Sequence, residues 1–432
     1  MDRRTFISIS ALLPFFGLSN LVSCFSKESI TNQNLKIDPN NIIDLHPSLM
    51  YKVISAKDAL MSDGFKVPGK ADGMGTFLVN DRIILVRNHE IVPQHGMEIG
   101  PFQNINEQIA LLGPKHYDEK AIGGTTNIVL DKNSKKVLKE YLSLSGTMQN
   151  CAGGVTPWGT WLSCEEYVNV RSTSQVSHGY VFEVDPRKPS LESPSPLKKL
   201  GRFNHEAVAF DKFGNAYLTE DRSDGLIYKF VPSKMNNLEK GELFALKVKN
   251  LYDSRNWDQS FTELKNPYKV EWVKIEDYDP DEDTLRQEGI SKGATIFARP
   301  EGIIADNESV YICCTSGGYL KKGQIFKIDI ISYKQSLVEL WYEVQDTSSL
   351  NMPDNIVIAP WGDLIVCEDN SDRNRLWGLS PNGNPYLIAQ NSYSGSEFAG
   401  ACFSPVDNTM FVNIQGSGLT LQIDGNWNSV IS

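Results

Sequence analysis

Apolar and polar residues alternate in short runs along most of the chain, and the runs come in pairs around tight turns. Over 150–166 a polar residue, Cys151, opens a run of small and apolar residues; a Pro157-Trp158-Gly159 corner follows, and a second run ends on Glu165-Glu166. Alternation of this length predicts half-buried strands, and the corner predicts a hairpin. The spacing repeats. Eight residues separate Cys151 from Gly159, Glu206 from Gly214, Glu301 from Ser309, Asp354 from Gly362 and Asp72 from Asn80. In a sixth unit Ala399 stands eight before Asp407, with Glu397 two residues earlier on the same strand face. Second runs end at Glu165-Glu166, Glu220-Asp221, Thr315-Ser316 and Glu368-Asp369, at Asn413 in the last unit and near 88–90 in the first. A third strand follows over 179–185, 226–230, 324–329 and 419–424.

Six such units predict an all-β chain folded as a six-bladed β-propeller. The first strand of each blade lies innermost, so Asp72, Cys151, Glu206, Glu301, Asp354 and Glu397 are predicted to converge on one axis. Residues near 51–55, or the adjacent N-terminal segment, are predicted to supply the outer strand of the last blade and close the circle, leaving no open edge. Residues 91–122 and 231–298 are too long for hairpins and are predicted as inserted loops covering one face of the disc.

The N-terminus reads as an address. Arg3-Arg4-Thr5-Phe6-Ile7 resembles a twin-arginine export signal, and the apolar run at 9–18, broken by Pro14, is too short to span a membrane. Leu21-Val22-Ser23-Cys24 reads as a lipobox, the alternative being an ordinary signal cut nearby. This makes 1–23 a removed lipoprotein signal, Cys24 the lipidated residue, 24–50 a flexible tether and 51–432 a single propeller domain. The expected location is the periplasm or cell envelope, with the lipid as the membrane contact. Lys+Arg 42 against Asp+Glu 53 gives a net charge of −11, which argues against nucleic acid and suits cation binding. A closed propeller has no obligatory partner, so a monomer is expected.

Five carboxylates gathered on one axis repel one another, which raises their pKa values or demands cations. Oxygen donors in this number suit a hard ion such as calcium, while the Cys151 thiolate points to a redox-capable transition metal. Six His and no paired His or Cys at zinc spacing argue against zinc. Cys164, Cys314 and Cys367, each five after a turn, read as core packing, with a disulfide as the alternative. The acidic run 276–283 lacks the glycine and spacing of an EF-hand and reads as a solvated loop. Asp72 reads as a capped turn, His89 and His205 as packing or supporting residues, and Trp158, Trp161, Trp361 and Trp377 as blade packing. A purely structural calcium role is open for Glu397.

The run N-C-A-G-G-V-T-P-W-G-T-W-L-S-C-E-E at 150–166 resembles the PhoX-type alkaline phosphatases. So do G-G-T-T-N at 123–127, G-R-F-N-H-E-A at 201–207, R-P-E-G at 299–302 and E-F-A-G-A-C-F-S-P at 397–405. The likeness runs in order from about residue 64 to 424. It implies an exported six-bladed propeller holding a cluster of ferric iron and calcium. It also implies hydrolysis of phosphate monoesters, with a metal-bound oxo or hydroxide attacking phosphorus. By the resemblance, Cys151 is the thiolate ligand of iron, and Glu206, Glu301, Asp354 and Glu397 are carboxylate ligands. Glu165 or Glu166, and Glu368 or Asp369, bind calcium. Arg299 grips the phosphate of a small phosphoester, with Glu301 beside it completing the catalytic pair. Two other functions fit the same units: a calcium-dependent lactonase or esterase, which needs no thiolate at 151, and a non-catalytic exported propeller that binds a partner.

Overall fold

The computed structural model describes residues 35–173, 176–260, 262–371 and 373–431; the predicted signal, Cys24 and the first part of the tether lie outside them. Six inner strands set the frame: Ala71–Val79, Asn150–Val155, His205–Phe210, Pro300–Ala305, Pro353–Ile358 and Phe398–Phe403. Each turns back into an antiparallel second strand: Arg82–His89, Trp161–Glu165, Ala216–Glu220, Ser309–Cys314, Leu364–Glu368 and Met410–Ile414. Third strands follow at Gly123–Asp131, Val181–Val184, Ile227–Pro232, Gln324–Ser332, Arg375–Leu379 and Leu419–Gly425. Along the chain each inner strand packs beside the next, and Phe398–Phe403 packs beside Ala71–Val79. The chain is thus all-β and propeller-like.

The outer strands come from less regular places. Val137–Thr147, Gly241–Val248, Gln335–Glu343 and Pro385–Asn391 follow their own third strands, whereas Leu49–Ala56 crosses from the N-terminal side to pair with Leu419–Gly425. The strand expected near 51–55 is this one. Two expectations need correction. Residues 43–50 were expected in the tether, yet Ile43–Leu45 pairs with Pro385–Asn391 and Leu49 begins the crossing strand, because Ile43, Leu45 and Leu49 bury against Ile388, Ala389 and Ile423. Residues 231–298, expected as a cover, also lengthen a sheet edge: Tyr268–Ile275 pairs with both Gly241–Val248 and Gln335–Glu343, joining two strand groups. The acidic run inside that segment is anchored rather than merely solvated, since Asp279 accepts from Arg171 and Tyr180 and Asp283 from Arg222.

Alternation along each second strand puts its apolar residues between neighbouring strand groups. Leu162, Cys164 and Val181 meet Val208, Ala216 and Leu218 of the next group, all fully or nearly fully buried. Each buried leucine or valine among them contributes about 1.5–3 kcal/mol. The cysteines pack as expected, but their register differs: Pro300 pairs with Cys314 where Asn150 pairs with Glu165 and Pro353 with Glu368, so Cys313, not Cys314, is the counterpart of Cys164 and Cys367. The six cysteines among the described residues are free thiols. One polar clip crosses the chain's two ends. Arg87, fully buried on a second strand, donates to Ser55 on the N-terminal crossing strand, Thr420 on its partner, Thr126 and Glu140.

A candidate metal centre in the channel

Every inner strand slips register near its start: between Ala71 and Met74, Asn150 and Gly153, His205 and Val208, Pro300 and Ile303, Pro353 and Ile356, and Ala399 and Cys402. A bulge bends the strand and re-aims the side chain within it. In five strands that side chain is Asp72, Cys151, Glu206, Glu301 or Asp354. In the sixth the slip comes one residue later and encloses Gly400 and Ala401, and Glu397, just before the strand, supplies the carboxylate instead. In four strands the residue after the ligand position is Gly or Ala (Gly73, Ala152, Ala207 and Gly302); a Cβ on Gly302 would overlap the Asp354 carbonyl oxygen of the next inner strand, and one on Gly73 the backbone of Cys151 and Ala152.

The bulges are tied down by the preceding group. Asn88 donates to the Cys151 and Ala152 carbonyls at 3.0 and 2.7 Å, Thr219 to that of Glu301 at 2.6 Å, Thr315 to that of Pro353 at 2.7 Å and Asn413 to that of Asp72 at 2.5 Å. Each donor sits on a second strand or, for Thr315, directly after one, and fixes the next group's inner strand.

These side chains converge on a cavity of about 110 Å³ lined by Asp72, Glu90, Cys151, Glu166, Glu206, Asp221, Arg299, Glu301, Asp354, Asp369, Glu397 and Gln415. Of the residues singled out from the sequence, Cys151, Glu166, Glu206, Arg299, Glu301, Asp354, Asp369 and Glu397 are therefore together, and Asp72, predicted to reach the axis but read as a capped turn rather than a ligand, lies with them. Glu165 and Glu368 do not. Both are fully buried inside their strand groups, where Glu165 accepts from His178, Met148 N and Gly179 N, and Glu368 from Arg375, Trp377 and Asn351 N. Side chains alternate along a strand, so within each acidic pair only the later residue can face the channel. Glu90, Asp221 and Gln415, at the ends of three of the other second strands, were not singled out as ligands; the fourth has Thr315 at that place. Each stands where Glu166 and Asp369 stand, and the 88–90, 220–221 and 413 ends carried the signal.

Charge is crowded here. One ligand atom each from Cys151, Glu166 and Glu206 lies within 4.8 Å of the others, and likewise for Asp72, Glu90 and Glu397. Burial first, and then neighbouring carboxylates, push Glu206, Glu301, Glu397, Glu166 and Asp72 well above the usual carboxylate range. Burial and Asp369 lift Asp354 to about 6, and burial lifts Glu90 to about 7 against the pull of Lys70. Burial and the Glu206 and Glu166 charges push the Cys151 thiol up. Arg299 holds left-handed backbone, φ +50°, and its guanidinium meets Asp221 at 2.9 Å, Glu301, and Asp369 at 3.4 Å. His89 and His205 are packing residues, bonded to the Gly69 and Gly201 carbonyls, with pKa values lowered by burial.

The family described as alkaline phosphatase PhoX matches residues 30–418. Among solved structures, PhoX of Pseudomonas fluorescens in complex with vanadate, a transition state analogue, aligns with a TM-score of 0.66 at 19% identity, covering 89% of this chain and 96% of that one. A putative gluconolactonase aligns at 0.45 and 8% identity over 91% and 97% of the two chains, and a gluconolactonase from Xanthomonas campestris at 0.43 and 8% over 87% and 95%. No curated protein matches in sequence.

Proposed function

The chain belongs to the PhoX alkaline phosphatase family, and from that premise we propose that it hydrolyses phosphate monoesters at a centre of iron and calcium in the acidic end of its channel. One observation carries the reading: residues from every strand group place a thiol and a set of carboxylates around one small cavity with a single guanidinium among its lining residues. Such a donor set fits cations, since buried carboxylates this close cannot all be charged without them. Cys151 with Glu206, Glu301 and Asp354 suits iron, the thiolate being the soft donor; Asp72, Glu90 and Glu397, all oxygen donors, suit calcium. Glu166 and Asp369, rather than Glu165 and Glu368, complete the set.

When bound, such ions supply Lewis-acid polarisation of the phosphoryl group and offset its charge. The chain's own part is rigid placement. Arg299 offers a planar fork to two phosphoryl oxygens, and Asp221 holds that fork from behind, at Nε and a terminal nitrogen. The bulges fix Cys151, Glu206, Glu301 and Asp354 on inner strands, which hold geometry better than loops. We read the frame as a six-bladed propeller closed by Leu49–Ala56, because that strand completes the last group. The Arg3-Arg4 and Cys24 signals make the protein exported, and Cys24 its lipid anchor to the cell envelope, with the folded domain beginning near residue 36, where Lys36 bridges Leu45.

Purified protein is expected to contain iron and calcium by elemental analysis and to hydrolyse p-nitrophenyl phosphate at alkaline pH, with activity lost on chelation. Cys151→Ser is expected to lose iron and at least about 100-fold in kcat/KM. Iron content and rate both unaltered by that substitution would overturn the assignment.

A further inference from the structure

Arg299 lines the cavity, and a second cation, Lys70, stands one hydrogen bond away from it. Just before each inner strand a carbonyl accepts from the amide at the end of the second strand: Lys70 from Glu90 at 2.8 Å, Gln149 from Glu166 at 2.9 Å, Asn204 from Asp221 at 3.3 Å, Arg299 from Thr315 at 3.0 Å, Met352 from Asp369 at 2.9 Å and Glu397 from Gln415 at 3.2 Å. The six residues bearing these carbonyls therefore occupy equivalent places. Lys70, Gln149, Arg299 and Met352 also share left-handed backbone, with φ of +52°, +46°, +50° and +49°. A shared backbone conformation at equivalent places sends the side chains off in equivalent directions. Arg299 and Glu397 line the cavity. Lys70 is one hydrogen bond from it: its Nζ donates to Gln415 Oε1 at 2.9 Å, and Gln415 Nε2 donates to Asp72 at 3.0 Å and Glu90 at 2.5 Å.

Lys70 precedes the first inner strand and Arg299 the fourth, with two inner strands between them on either side. In the order of inner strands they therefore stand opposite one another. Their charges are used differently. Arg299 meets three carboxylates, whereas among the described residues no carboxylate lies within 4.0 Å of the Lys70 ammonium, whose partner is a neutral amide. The side chain is half-buried rather than enclosed.

We infer that Lys70 is a second anion-binding group, so that the site favours phosphate monoesters whose leaving group carries its own carboxylate or phosphate. This rests on the phosphatase reading above. The transferred phosphoryl takes the Arg299 fork, and an anion farther along the ester meets the ammonium opposite. A lysine suits that role, being a point charge with three rotatable donors on a flexible stem that accepts either anion without demanding two-pronged geometry.

The test compares 2-phosphoglycolate with ethyl phosphate, the same carbon count without the carboxylate, on metal-loaded wild type, Lys70→Met and Lys70→Arg. Wild type is expected to prefer 2-phosphoglycolate by tenfold or more in kcat/KM. Lys70→Met is expected to cut that preference tenfold or more through KM, and Lys70→Arg to retain most of it. An equal loss on both esters, or no loss of preference, overturns the inference and leaves Lys70 as a counter-charge to Glu90. If wild type cleaves neither ester, the phosphatase reading is what fails. Calorimetry with inorganic pyrophosphate and phosphate then decides on Lys70: a selective tenfold weakening of pyrophosphate in Lys70→Met supports it, and equal weakening of both ligands refutes it.

Discussion

At the scale of residues, neighbours in sequence have opposite tasks. Glu166→Gln removes a channel carboxylate and is expected to lower bound metal and kcat/KM by tenfold or more. Glu165→Gln disturbs a buried network around His178 and is expected to cost roughly 2–4 kcal/mol in urea unfolding. The reverse ranking, by metal analysis and denaturation, would show that the pair had been read the wrong way round. His178 gives a pH signature. Burial lowers its pKa, but Glu165 and Asp118 on its two ring nitrogens outweigh that and raise it from 6.5 to about 9. A histidine held charged in the fold stabilises fully below its unfolded pKa and loses that contribution as pH rises through the folded value. The protein is thus expected to lose roughly 3 kcal/mol between pH 6.5 and 9 through this group, and His178→Asn to flatten the curve. Sequence spacing identified Cys151, Glu206, Glu301 and Asp354 because each opens an inner strand eight residues before a turn. It left each acidic pair unresolved because the choice depends on where the second strand's alternation ends, and that is set by the bulge.

At the scale of strands, the bulge and the small residue behind the ligand act together. Gly302→Ala pushes a Cβ into the Asp354 carbonyl of the next inner strand. It is expected to cost about 3 kcal/mol or more and to lower bound metal in whatever protein still folds, measured by thermal melting and elemental analysis. Arg87→Met tests the clip between the chain's ends. It leaves Glu140, Ser55 and Thr420 without their shared donor, and a cost of roughly 3–5 kcal/mol is expected. The hairpins and the crossing strand near 51–55 were legible, since alternation and turn spacing are local. The slip that sets Cys314 apart from Cys164 and Cys367 was not, because counting from a turn assumes equal hairpins. Tyr268–Ile275 alternates visibly, yet nothing local says that its partners are the outer strands of two different groups.

At the scale of the whole molecule, the channel is a reservoir of repulsion that cations relieve. A carboxyl whose folded pKa is raised stabilises while protonated, and loses that contribution as pH climbs through the folded value, about 6 for Asp354 and about 7 for Glu90. Chelated protein is therefore expected to melt higher at pH 5 than at pH 8, and metal to raise the melting temperature most at pH 8. A metal-free protein that melts higher at pH 8 would contradict this. The cavity's lining residues run from Asp72 to Gln415, and Asn413 grips the Asp72 carbonyl. No chain that begins after Asp72 or ends before Gln415 contains the whole set, so full metal content is expected only of a polypeptide whose beginning and end have met, and becomes a tally of completed molecules.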